Sequence, residues 1–125
     1  MSVDVDRFAR ILADRLAAVV PAGFHVEAGD GMLWYSGAGQ SGTHVRDNFS
    51  VYGETDEDKV TGAAVQALDE LQDYVSEATG DPWPGTTRQP RPYAQVRGSL
   101  LQLWYGDDDG VALACDPIEL AEIVR

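Results

Sequence analysis

The sequence has little cysteine, little lysine and no long apolar run. A single cysteine, Cys115, excludes an intramolecular disulfide and is typical of a cytoplasmic protein. No uninterrupted apolar run approaches the ~20 residues of a membrane-spanning helix, so we expect no membrane segment and no membrane partner. The first residues lack a basic region followed by an apolar core, so we expect no export signal and a cytoplasmic location.

Positive charge is scarce as well. One Lys and eight Arg stand against 21 Asp plus Glu, which gives a formal charge of −12. Phosphates are neutralised by basic patches, so this balance disfavours nucleic acids and anionic membrane surfaces as partners. Solubility explains the acidity in ordinary terms. The functional alternative is a basic partner, as an immunity- or antitoxin-like protein would have.

What the chain does have is the length and apolar content of one folded domain. Its 125 residues with a hydrophobic fraction of 44% suit a single α+β domain over 1–125. Apolar residues at helical spacing predict a helix from about Asp4 to Val20, and a longer one that Thr55 caps and Gly80 ends. The four prolines of 81–92 then predict an extended connector.

Six strands are expected in two groups of three, over 24–28, 32–36, 48–52, 93–97, 100–105 and 111–115. In the third strand, Phe49 and Val51 should face inward. Asp116 has the features of an N-cap, with proline next, and predicts a final helix to about Val124. The fold class expected is α+β, an antiparallel sheet with helices packed on one face, in the order α-βββ-α-βββ-α.

A faint internal repeat links the two groups of strands. The tripeptide Leu33-Trp34-Tyr35 recurs 70 positions later as Leu103-Trp104-Tyr105, in both cases on the outgoing strand of a predicted hairpin. Chance matching of a tripeptide is the simpler interpretation, and a true internal repeat is the alternative. Adjacent strand residues face opposite sides of a sheet, so one ring of each Trp-Tyr pair should point away from the helices.

These rings form the candidate interaction surface, which comprises Trp34, Tyr35, Trp83, Trp104 and Tyr105. Trp83 lies between two prolines and either fixes the connector onto the core or offers a rigid contact to a partner. Large rings on an open sheet face would form an apolar patch of the kind that soluble monomers avoid. We therefore expect a symmetric homodimer, or a complex with another protein through the same face.

Motifs of catalysis or cofactor binding do not fit their sequence context. Gly37–Gly42 matches G-x-G-x-x-G, but no helix opens at its third glycine, so a loop between strands is expected. The acidic run 107–110 lacks the leading carboxylate of a calcium loop and is interpreted as a turn. His25 and His44 have no second ligand at metal-binding spacing, and Cys115 should be a buried apolar residue. We therefore assign no catalytic, cofactor-binding or metal-binding residue, and expect no cofactor.

In element order, size and acidity the chain resembles the type III secretion chaperones and the related YbjN-like proteins. Those are small, acidic, cytoplasmic and often dimeric, so the resemblance implies a chaperone-like role but, without a shared motif, no site residue. The chain departs from their pattern in its long proline-rich connector and in one extra strand. The stretch from Trp83-Pro84-Gly85 through Leu103-Trp104-Tyr105-Gly106 to Pro117-Ile118 also resembles small actinobacterial proteins of unassigned function.

Two classes of function remain open from the sequence. The first is a non-enzymatic protein-binding or chaperone-like module, of which an immunity- or antitoxin-like protein is a variant. The second is a small hydrolase or metal-dependent enzyme built on acidic residues with His25 or His44. We favour the first class because no residues in the sequence converge on a catalytic arrangement.

Overall fold

The chain folds as an α+β protein with two α-helices and two antiparallel sheets in its described part. The computed structural model describes residues 3–29, 32–37, 44–48, 53–85, 89–107 and 110–124. The helices are α1 (Val5–Ala17) and α2 (Asp56–Thr79). The strands are β1 (Phe24–Gly29), β2 (Met32–Gly37), β3 (His44–Asn48), β4 (Arg91–Arg97), β5 (Leu100–Asp107), β6 (Gly110–Ala114) and β7 (Ile118–Glu119).

Two consecutive units build this fold, each a helix followed by an antiparallel meander of three strands. The first sheet has the order β1-β2-β3, and α1 packs mainly on β1. The second has the order β4-β5-β6, with β7 also paired to β5, and α2 packs mainly on β4. The α+β class is confirmed and the element order holds as far as β6. The single sheet is wrong, because α2 carries the chain from one sheet to another.

Both helices begin at the residues that the sequence indicates. Asp4 caps α1, since its carboxylate accepts from the amide of Arg7 at 3.2 Å. Thr55 caps α2, since its hydroxyl accepts from the amide of Asp58 at 3.0 Å. Gly80 ends α2 in the left-handed conformation, with a φ of 78°. The predicted cap at Thr55 and the predicted end at Gly80 are confirmed, because both depend on local chemistry, whereas α1 ends at Ala17 and not at Val20 as predicted.

The third strand lies earlier in the chain than predicted. It begins at His44, opposite Ser36, and pairs antiparallel with β2 along its whole length. The sequence prediction followed the apolar Phe49 and Val51, which lie outside the described residues. An edge strand such as β3 needs no apolar alternation, and its His, Arg, Asp and Asn are typical of protected sheet edges.

The predicted final helix is wrong. Ile118 and Glu119 form β7 against the first two residues of β5, and a 3-10 turn over Leu120–Glu122 follows. A helix over 118–124 would have only about two turns, and helices that short are marginal in water. Instead, β7 pairs with the part of the β5 edge that β6 does not cover. This pairing helps to bury Ile118 and Ile123 completely. Long-range burial therefore overrides the local capping pattern.

Two tyrosines fasten the two sheets to the same turn of α2. The Tyr35 hydroxyl of β2 donates to the Ala67 carbonyl at 3.5 Å, and the Tyr105 hydroxyl of β5 donates to the Leu68 carbonyl at 2.6 Å. Both tyrosines are fully buried, and burial is the main cause that raises the pKa of Tyr105 above its ordinary value. They are the tyrosines of the two Leu-Trp-Tyr tripeptides, which occupy the middle strand of each sheet. The two copies thus have the same structural role.

Tyr105→Phe should lower the free energy of unfolding by about 1 kcal/mol, because a short buried hydrogen bond is lost. Tyr74→Phe is the matched control, since Tyr74 is 6% exposed and its hydroxyl has no hydrogen-bond partner among the described residues. Removing that hydroxyl should leave stability unchanged or raise it by up to about 1 kcal/mol. Urea denaturation compares the two variants, and a larger loss for Tyr74→Phe would contradict these hydrogen-bond assignments.

Candidate functional site

The two tryptophans, and not their neighbouring tyrosines, are the rings that face away from the helices. Tyr35 and Tyr105 are fully buried, whereas Trp34 and Trp104 are half-buried on the opposite sides of β2 and β5. This follows from the alternation of side chains along a strand. The structure thus leaves Trp34 and Trp104 as possible contacts and removes the two tyrosines from the candidate surface.

Trp83 packs onto the core and holds the connector there. Its ring lies 5.3 Å from that of Tyr105, at an interplanar angle of 70°, and its amide donates to the Ser76 hydroxyl at 3.1 Å. Nearby, the buried side-chain amide of Gln72 donates to the Pro90 carbonyl. Both ends of the proline-rich connector are therefore fastened to α2, and Trp83 has a structural role.

The surface with the clearest binding character is the side of the second sheet that faces away from α2. We call it the outer face and define it by Arg91, Tyr93, Gln95, Arg97, Gln102, Trp104 and Val111. Tyr93 lies directly opposite Trp104 in the strand register, and the two rings stack with centroids 5.5 Å apart and planes 23° apart. Tyr93 is 38% exposed and Val111 is 64% exposed, the largest exposures of bulky apolar side chains in the described part of the chain.

A pocket of about 320 Å³ lies on the outer face. Gln95 and Gln102, which are opposite each other in the register, border it together with Arg97 and Trp104. Apolar residues complete the lining, among them Val111, Ala114 and Pro117. Its volume is at the lower end of the ~300–1,000 Å³ typical of small-molecule pockets. It therefore offers one guanidinium and two amides beside an indole ring.

Cys115 borders this pocket without being an activated nucleophile. It is 6% exposed, and burial raises the pKa of its thiol to about 11, with a further increase from Asp116 and an opposing effect of Arg15. Such a thiol is protonated at neutral pH, whereas the nucleophilic form is the thiolate. The prediction of a small buried apolar residue is confirmed for Cys115.

The outer face carries positive charge although the chain as a whole is acidic. Arg91 and Arg97 stand at the two ends of β4, and both are exposed. Along β4, exposed residues alternate with partly buried residues that pack under α2. Both arginines therefore lie on the outer face with Tyr93 and Gln95. Within the described ranges, the ion pairs of 4.0 Å or less involve other basic residues. The two guanidiniums are therefore available to a partner.

Negative charge is concentrated instead on the exposed side of α2. Asp69 and Asp73 lie one helical turn apart there, and both are exposed. Burial and the neighbouring Asp73 raise the pKa of the Asp69 carboxyl above its ordinary value of 3.8. The molecule thus presents acidic groups on α2 and basic groups on the outer face of the second sheet.

Asp69→Asn should raise the free energy of unfolding at neutral pH by about 0.2–0.5 kcal/mol, because it removes a partly desolvated charge and the repulsion between that charge and Asp73 one helical turn away. Since the pKa of Asp69 is raised in the folded state, its ionisation lowers stability as pH rises through 3.8 and above. The gain should therefore vanish in denaturation experiments below that pH. Asp73→Asn should give a similar gain, and a gain for Asp69→Asn that persists unchanged at low pH would contradict this origin.

The residues that pointed to other chemistry do not form a site. No three His, Cys, Asp or Glu side chains of the described residues are grouped so that they could hold a metal ion. His25 is exposed on β1. The side chain of His44, the glycine-rich stretch 38–43 and the acidic side chains of 107–109 lie outside the described residues. Among the helices that the structure describes, none has both the length and the apolar composition needed to cross a membrane.

Comparison with protein families, with curated proteins and with solved structures finds no match to this chain. Function therefore has to be inferred from the geometry of the outer face. Of the residues on this face, the sequence pointed to Trp104 but not to Tyr93, Gln95 or Arg97. The missed signal was the alternation in β4, where Arg, Tyr, Gln and Arg occupy every second position.

Proposed function

We propose that this protein is a non-enzymatic, cytoplasmic protein-binding module whose partner docks on the outer face of the second sheet. The stack of Tyr93 on Trp104 beside the exposed Val111 is the observation that carries the proposal. Aromatic residues and arginine are enriched at the centres of protein interfaces, and large rings at such centres contribute much of the binding energy. The outer face combines both residue types around one pocket.

The chemistry of the pocket supports binding over catalysis. General acid–base and nucleophilic catalysis need a carboxylate, an imidazole, an activated thiol or a similar group beside the substrate. The polar groups in this pocket are the guanidinium of Arg97 and the amides of Gln95 and Gln102, which serve to hold a partner. The neighbouring thiol of Cys115 has a pKa of about 11. The resemblance to secretion chaperones and YbjN-like proteins favours the same class of function.

The edges of the second sheet favour docking on its face over addition of a strand from the partner. Pro92 lies within β4, and Pro117 interrupts the edge between β6 and β7. Proline has no amide hydrogen to donate, so both positions interrupt the ladder that an added strand would form. A partner therefore makes its contacts through side chains on the outer face.

Affinity purification of the tagged protein from its native host, followed by mass spectrometry, tests this proposal. Trp104→Ser removes one half of the ring stack, and Trp34→Ser removes the same side chain from the first sheet as a matched control. A stoichiometric partner should be recovered with the wild type and with Trp34→Ser, but be lost with Trp104→Ser. Both variants must unfold cooperatively. Full recovery with a folded Trp104→Ser variant would contradict docking on the outer face.

A second copy of the chain is one candidate occupant of this face. A symmetric dimer would use the same patch on both copies. Sedimentation equilibrium at micromolar concentration decides this point. A dimer mass that Trp104→Ser reduces to a monomer mass identifies self-association through the outer face, and a monomer mass for the wild type excludes self-association at that concentration.

A further inference from the structure

We propose that the pocket on the outer face binds the carboxylate of an aspartate or glutamate side chain in the partner protein, with Arg97 as its counter-ion. This rests on the proposed function, because the partner is the protein that docks on that face. The ligand class is thus an acidic residue within a polypeptide segment, next to an apolar residue that meets the ring stack.

Charge complementarity is the first support for this ligand. The chain has a formal charge of −12, yet the outer face presents Arg91 and Arg97, and Arg97 borders the pocket. Neither arginine lies within 4.0 Å of a carboxylate among the residues that the structure describes. The register places Glu119 opposite Leu100, which in turn lies opposite Arg97, so Glu119 is exposed on the same face, on a strand whose backbone is about 10 Å from β4.

The donors around the pocket are the second support. A guanidinium presents a planar fork of N–H groups that matches the two oxygens of a carboxylate. Gln95 and Gln102 face each other across β4 and β5, and their side-chain amides add neutral donors beside that fork. Trp104 lines the same pocket, so its indole ring would cover one side of such a contact.

Other occupants fit the same charges less well. In a symmetric dimer through this face, Arg91 and Arg97 of both copies would lie in one interface, where like charges repel. A basic partner, as expected for an immunity-like protein, would meet the same repulsion. A polyanion such as nucleic acid gains from many basic contacts and is repelled by the remaining acidic surface. A single carboxylate beside an apolar residue matches one arginine in a pocket next to exposed rings.

Selection of peptides from a random phage-displayed library on the immobilised full-length protein tests the inference. The wild type should enrich peptides that carry Asp or Glu beside an apolar residue, and Trp104→Ser should lose them. A synthetic copy of an enriched peptide should bind Arg97→Gln at least ~10-fold more weakly than the wild type. Arg10→Gln, which removes an exposed arginine of α1 and leaves the outer face intact, is the matched control and should change affinity by less than ~3-fold.

A double-mutant cycle identifies the contact itself. Replacing the peptide's Asp or Glu by Asn or Gln should weaken binding as much as Arg97→Gln does, and combining both changes should add little further loss. Peptides that need Trp104 but lack an acidic residue, or that bind Arg97→Gln as tightly as the wild type, would overturn the inference while the proposed function stands. Failure to enrich any peptide that depends on Trp104 would count against both.

Discussion

Leu71→Ala is expected to lower the free energy of unfolding by about 2–5 kcal/mol. Leu71 is 1% exposed and lies in the middle of the buried stripe of α2, the helix that contacts strands of both sheets. Truncation would remove apolar contacts and leave a cavity between layers that cannot easily collapse. The loss would be a large share of the ~5–15 kcal/mol that stabilises a typical domain. Urea denaturation measures it.

Gln66→Ala is the matched control on the same helix. Gln66 is exposed, and its side-chain amide donates to the Glu70 carboxylate one turn away at 3.3 Å. Its replacement should change the free energy of unfolding by less than about 0.5 kcal/mol. An unchanged denaturation midpoint for Leu71→Ala, or equal losses for both variants, would show that α2 does not organise the core.

Gly37→Ala is expected to lower the free energy of unfolding by more than about 2 kcal/mol. Gly37 ends β2 with a φ of 133°, a conformation that residues with a Cβ atom rarely adopt. An added Cβ would lie 2.2 Å from the Gly23 carbonyl oxygen and 2.7 Å from the Cα of Phe24. Both neighbours are backbone atoms, so relieving this clash requires moving the backbone at the start of β1. Thermal or urea denaturation detects the loss.

Gly98→Ala separates conformational strain from this close contact. Gly98 lies in the turn between β4 and β5 with a φ of 60°, and no atom lies within 4 Å of an added Cβ. Gly98→Ala should therefore lower the free energy of unfolding by only about 1–2 kcal/mol, which is the cost of a left-handed backbone conformation for a residue with a Cβ atom. If Gly37→Ala lowered stability no more than Gly98→Ala, the close approach of Gly37 to Gly23 would be contradicted.

Features governed by local chemistry could be predicted from the sequence. The cap of α2 at Thr55, its end at Gly80 and the hairpin around Gly98-Ser99 depend on residues close in the chain. The predictions failed where distant pairing decides the outcome. The polar β3 is a strand because β2 offers it an edge, and Ile118 joins β5 although Asp116 and Pro117 match a helix start.

The candidate site was predictable only in part. Strand alternation indicates that Trp104 and Tyr105 face opposite ways, but not which of them α2 covers. That choice is fixed by the bond from the Tyr105 hydroxyl to Leu68 and by the packing of Trp83 on Tyr105. Once it is fixed, every second residue of β4 lies on the outer face. Arg97 is thereby brought into the pocket, which composition alone could not show.

Hydrogen–deuterium exchange, measured on the protein alone and in complex with its purified partner, locates the docking surface most directly. Binding on the outer face should slow exchange in β4 and β5, over 91–97 and 100–106, and leave α1 and the first sheet unchanged. Slower exchange confined to α1, to β1 and β2 or to the exposed side of α2, with β4 and β5 unaffected, would contradict the outer face as the binding site.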